Sequence, residues 1–95
     1  MSNLNPQQFD LYHRTHSQAA ESILAKGFGR GREQGRVYFT DNPEGGYSSA
    51  YGGTVLHAKV PAHLVEQDDE FGDEKHYTAN YKDLKGIEVK RWRKP

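Results

Sequence analysis

The chain has 95 residues, in which 13 Lys and Arg balance 13 Asp and Glu, with five His and no Cys. A chain of this length buries about 60 to 65% of its unfolded surface, which allows one modest core and no second catalytic domain. The balanced charge gives no whole-chain attraction to nucleic acid or an anionic membrane, and the missing cysteine excludes a disulfide scaffold, a thiol nucleophile and thiolate zinc.

The opening "MSNLNPQQFD" is polar, without the basic-then-apolar pattern of a signal peptide, and no apolar run approaches the roughly eighteen residues that cross a bilayer. A soluble, cytoplasmic protein is the expectation. In "LYHRT" the two-residue period of a strand puts Leu11, His13 and Thr15 on one face and Tyr12 and Arg14 on the other. A helix follows, in which Thr15 and Gln18 fit a capping box, Ala19/Ile23 and Ala20/Leu24 repeat at helical spacing, and Gly27 suits a left-handed stop. "GRGREQG", residues 29–35, reads as a mobile loop of the kind that covers a ligand, ahead of the strand "RVYFT".

In "DNPEGGYSSAYGG", Asp41 or Asn42 is a candidate N-cap and Pro43 a first helical residue, while Gly45 and Gly46 limit any helix to about two turns. "TVLHAKVPA" alternates as a strand with Leu56, Ala58 and Val60 inward. Six of the nine residues from Glu66 to Glu74 are acidic, which reads as a solvated, self-repelling loop; a calcium loop is disfavoured because Gly72 arrives one place early. "EKHYTANY" and "GIEVKRW" read as closing strands, the second anchored by Ile87 and Val89, before a basic, frayed end "KRWRKP". With no repeat or linker, the expectation is one α+β domain, residues 1–95 with its core at about 11–92, built on a small mixed sheet of about five strands with one or two short helices.

A histidine and a hydroxyl two apart on a strand form a donor pair for a planar polar ligand, although a lone strand histidine is more often structural. Tyr38 lies on the face opposite Val37 and Phe39, and Ser48 and Tyr51 follow in a glycine-flanked segment. An aromatic platform beside hydroxyls suits an aromatic amide; the bland reading makes these ordinary half-buried tyrosines with one wet end.

"HRT" at 13–15, "GRVYFTD" at 35–41 and "SSAY" at 48–51 fall in the order and spacing of a known pattern. Over residues 11 to about 89 the chain resembles the minimal ADP-ribosyltransferase fold, in the diphtheria-toxin-like branch that includes the poly(ADP-ribose) polymerases. The resemblance implies a split sheet with NAD, as co-substrate, between its halves. His13 would bond the adenosine ribose, with Thr15 close by and the backbone around Arg14 holding the nicotinamide amide. Tyr38 and Tyr51 would sandwich the nicotinamide ring, with Ser48 or Ser49 bonding its carboxamide. The implied activity is transfer of ADP-ribose to an unknown protein or nucleic-acid acceptor with release of nicotinamide, by a monomer without a metal.

Active members carry a glutamate on a late strand, beside the nicotinamide ribose. Aligned on the aromatic that follows, that position falls on His76, with Glu74 two residues earlier on the same strand face. A carboxylate stabilises an oxocarbenium-like centre by charge, whereas a neutral histidine offers one hydrogen bond and a protonated one repels. Three alternatives stay open. One is an inactive relative that binds NAD or ADP-ribose. A second is a 2H-type cyclic phosphodiesterase using His13 and His76, each in an H-x-T motif. The third is a nucleic-acid module resting on the basic tail, against which the acidic stretch 66–74 argues.

Overall fold

A computed structural model describes residues 7–30, 34–46 and 51–95. In chain order the elements are β1 (Gln8–Thr15), α1 (Ser17–Lys26), β2 (Arg36–Thr40), β3 (Thr54–Pro61), β4 (Glu66–Phe71), β5 (Glu74–Asn80) and β6 (Glu88–Arg91), with short 3-10 turns at Ala62–Leu64 and Tyr81–Leu84. The strands form one six-stranded sheet in the order β4-β5-β2-β1-β3-β6. Every hydrogen-bonded pair is antiparallel, so the expected mixed sheet is not found. The reason lies in the connections. β2 and β3 run parallel to each other, but β1 lies between them and opposes both, so the parallel relationship never becomes a ladder.

Alternation decides which face is buried. Leu11 on β1, Val37 and Phe39 on β2, Ala58 and Val60 on β3 and Ala79 on β5 form one buried cluster with Leu84. Phe9, Phe28, Ile87 and Val89 pack against it, as expected of the two anchors in the last strand. Each such aliphatic or aromatic side chain contributes about 1.5–3 kcal/mol when fully buried, and this face supplies most of the core of a small domain. Leu56, Ala58 and Val60 are each 0% exposed, as the alternation of β3 predicts.

Helix α1 begins one residue later than the capping-box reading places it. Its N-cap is His16, without a side-chain cap bond, because Thr15 is still in the sheet, paired with Thr54. The helix ends at Gly27 as expected, with φ +85° but ψ 178°, so the residue has a positive φ without the left-handed helical conformation, and its N–H donates to Ile23 O at 2.7 Å. The chain then returns Phe28 to the core edge, where it meets His13 and Phe39 edge-on. The expected loop 29–35 lies partly outside the described residues, at 31–33.

Three other expectations change. Residues 41–46 are a turn rather than the start of a helix, because Asn42 Oδ1 accepts the Glu44 N–H at 3.0 Å and locks a local turn. The acidic run is an edge strand, β4, hairpinned to β5 through Gly72 at φ +59°. Its carboxylates stay hydrated on the open edge, where charge also deters pairing with other chains. The basic end is tied down: the Trp92 N–H donates to Val55 O at 2.9 Å and Lys94 pairs with Glu44 at 3.0 Å. Among the described residues no helix is long and apolar enough to cross a membrane.

Candidate functional site

The sheet is weakest at its centre. β1 is paired with β3 along its whole length, from Gln8↔Pro61 to Thr15↔Thr54, and β2 with β5 along five pairs. Between β1 and β2 there is one register pair, Tyr12↔Thr40. Past it the strands separate, and the His13 side chain spans the opening: its Nδ1–H donates to the Tyr38 carbonyl at 2.8 Å. Phe28 and Phe39 flank the ring at centroid distances of 5.3 and 5.9 Å. The imidazole thus takes the place of a ladder bond between the two inner strands, where the pairing of the six-stranded sheet is thinnest. Nδ1 is committed to a carbonyl, so Nε2 is the nitrogen left for a ligand; no described residue bonds it.

Burial holds the His13 pKa below the ordinary value of 6.5, with the Tyr38 carbonyl opposing the shift in part. The unfolded chain then binds a proton at a pH where the folded chain does not. The contribution of His13 to stability is therefore complete above pH 6.5 and is lost as pH falls below it. Thermal unfolding followed by circular dichroism should show Tm dropping between pH 7 and 5.5. The drop should shrink in His13→Asn, whose amide replaces the Nδ1–H without a titrating group.

A second group lies beside the split on the sheet's other half. Glu74 opens β5 and is 1% exposed, an uncommon place for a carboxylate. Thr40 donates its hydroxyl to Glu74 Oε1 at 2.8 Å, and His76 Nε2 lies 3.2 Å from the same oxygen. Glu74 and His76, the two candidates for one position, lie two residues apart on β5 on one face, and the imidazole N–H holds the carboxylate. Gly45 closes the arrangement. A Cβ there would lie 2.1 Å from the Glu74 carboxyl carbon, so only glycine lets the 42–46 turn pass over it.

Arg14 fixes the same turn from β1. Its guanidinium donates to Pro43 O at 3.0 Å and Gly52 O at 3.3 Å, clasping both ends of the segment that joins β2 to β3. Gly52 packs directly on the Thr15 backbone, where a Cβ would come within 2.3 Å of the carbonyl.

The structure brings only some of the expected residues together. Tyr38 is 41% exposed and Tyr51 65%, with no ring contact between them, so they do not form a closed sandwich in this structure. Ser48 and Ser49 lie outside the described residues. Thr15 stays on the His13 face and ends β1. Register carries Tyr12, Thr40 and His76 across the sheet in one row, so His13 projects from the opposite face to His76. Glu74 shares the His76 face through Thr40, so His13 and the Glu74–His76 pair lie on opposite faces and a ligand that meets both has to pass through the opening between β1 and β2. Among the described residues no three His, Asp or Glu side chains converge as a metal would require.

Sequence reasoning missed Thr40, Gly45 and the Arg14 guanidinium. Thr40 was legible as the residue next after Phe39, on the polar face of its strand. The other two depend on contacts across 29 or more residues, which no local pattern reports.

No family model, no curated protein and no solved structure matches the chain.

Proposed function

We propose that the chain is an ADP-ribosyltransferase-like protein that binds NAD at the β1/β2 split and transfers ADP-ribose to an acceptor with release of nicotinamide. The observation that carries this reading is the buried, hydrogen-bonded Glu74 carboxylate beside a sheet that parts at His13. It joins the split-sheet architecture expected from the "HRT" and "VYFTD" motifs to the one charged group the chemistry requires.

In this reading His13 Nε2 meets the adenosine ribose, the β2 side of β1 around Arg14 takes the nicotinamide amide, and Tyr38 supplies an aromatic face. NAD supplies a leaving group that departs as neutral nicotinamide with the electron pair of the glycosidic bond. Glu74 stabilises the positive charge that develops on the ribose, and an acceptor lone pair then closes on the same carbon as its proton passes to solvent. Thr40 and His76 are positioning residues that hold the carboxylate. Desolvated and pre-oriented, it acts far more strongly than in water.

One observation favours a second reading. The Glu74 side chain is 0% exposed beneath Gly45, so turnover requires the 42–46 turn to lift; a chain in which it never lifts binds NAD without consuming it. Titration of ¹⁵N-labelled protein with NAD separates the two. Amide shifts at His13, Tyr38 and Tyr51 with free nicotinamide appearing mark the transferase. The same shifts without nicotinamide mark a binding relative, and no shifts reject both.

A further inference from the structure

Although the charges cancel over the whole chain, the longest acidic and basic runs lie apart. The acidic strand β4 is one edge of the sheet and the strand leading into the basic tail, β6, is the other. The acidic strand therefore does not border the basic end. There a groove of about 380 Å³ is lined by Arg14, Thr54, Arg91, Trp92, Arg93 and Lys94, with no carboxylate in its lining.

We infer that this groove binds the backbone of a single-stranded nucleic acid, with a base against Trp92, and that such a strand is the acceptor of the transfer reaction. The naming of an acceptor rests on the transferase reading above; the binding stands on the groove itself.

Arg91, Arg93 and Lys94 line the cleft beside Arg14, and among the described residues the carboxylates that Arg91 and Lys94 reach lie outside its lining. Arg91 reaches Glu21 at 3.7 Å and Lys94 reaches Glu44 at 3.0 Å. Exposed pairs of this kind are worth about 0–1 kcal/mol, so phosphates can displace the carboxylates at little cost. Arg14 spends two guanidinium nitrogens on backbone carbonyls, while its Nε is buried without a partner. Trp92 adds what a simple anion site would lack. Tyr12 meets its ring in T-shaped contact at 6.1 Å, which covers one face at most and leaves an aromatic surface beside the cations. Cations along a backbone with an aromatic stacking face are the physical requirements of single-strand binding, and a duplex, whose bases are stacked inward, cannot use the second.

The position of the groove gives it a part in the reaction. Arg14 is common to the groove and to the clasp on Pro43 and Gly52, and Lys94 holds Glu44 in the same turn. Gly45 of that turn lies on Glu74. A strand in the groove therefore lies against the segment that closes over the proposed reaction centre.

Trp92 is the only tryptophan, so its fluorescence reads the groove directly. The test is titration of the full chain with oligo(dT) at stepped salt, against poly-glutamate of matched charge. Oligo(dT) should quench Trp92 and poly-glutamate should not. The double variant R93E/K94E should bind at least about tenfold more weakly, with a log–log salt slope shallower by about 1.4, since each cation on a single strand contributes about 0.7. K85E, the same kind of charge reversal outside the groove, should bind within about twofold of the parent, whereas R93E alone should lose clearly more. No quenching by oligo(dT), equal binding of poly-glutamate, or equal losses in K85E and R93E would each overturn the inference. The transferase reading fails separately: oligo(dT) binding without NAD shifts keeps the groove and removes the acceptor role, whereas nicotinamide release without oligo(dT) binding removes the groove alone.

Discussion

Glu74→Gln should lower the rate of nicotinamide release by about two to three orders of magnitude, the usual loss when one preorganised electrostatic group is removed from a reaction centre. The change is close to isosteric. The Gln carbonyl can still accept the Thr40 hydroxyl that now reaches Oε1 at 2.8 Å, so the fold and the NAD-induced amide shifts should persist. What disappears is the charge on which the proposed reaction relies. The decisive comparison is release rate against NAD affinity, measured on the same samples. A fall in rate at unchanged affinity assigns Glu74 to the transition state, and a variant that turns over at the parent rate removes it from the mechanism.

The second large effect belongs to two adjacent glycines. Gly52 has φ +143° and lies on the Thr15 backbone, so Gly52→Ala meets both an unfavourable conformation and a 2.3 Å approach to a carbonyl that cannot move without breaking β1. The two costs together should reach about 3 kcal/mol, a fall in Tm of about 12–24 °C for a domain of this size. Gly53 has open space around its Cβ position and no positive φ. Gly53→Ala should change Tm by no more than a few degrees and can raise it, because alanine restricts the unfolded chain. Thermal melts of the two variants side by side check the packing of Gly52 on the end of β1; equal melts would contradict it.

Where a strand has one wet and one dry face, its sequence reported the fold well. Leu11, Val37 with Phe39, and Leu56 with Ala58 and Val60 all carry the period-two signal and all lie in the core. Gly27 ended α1 where a residue of positive φ was needed. The acidic run was misread because a hydrated edge strand has no buried face to betray it; the Gly72 turn that makes the hairpin was the better signal. Antiparallel order was hidden for a different reason, since it depends on β1 inserting between β2 and β3, a fact of topology. At the candidate site, the spacing of Glu74 and His76 placed them on one face, while their burial and the closure by Gly45 arise from a segment about 30 residues earlier.

The separation of acid and base to opposite edges of the sheet has a consequence for handling the molecule. At neutral pH it has no net charge, with a pI near 7.0, but its acidic strand β4 and the basic end that follows β6 lie at opposite edges of the sheet. Such a molecule presents a different end to each kind of resin and is retained by both anion and cation exchangers at low salt. Its attraction to a neighbour is orientational, edge to opposite edge, so solubility should be lowest in dilute buffer near pH 7 and rise as added salt screens the ends.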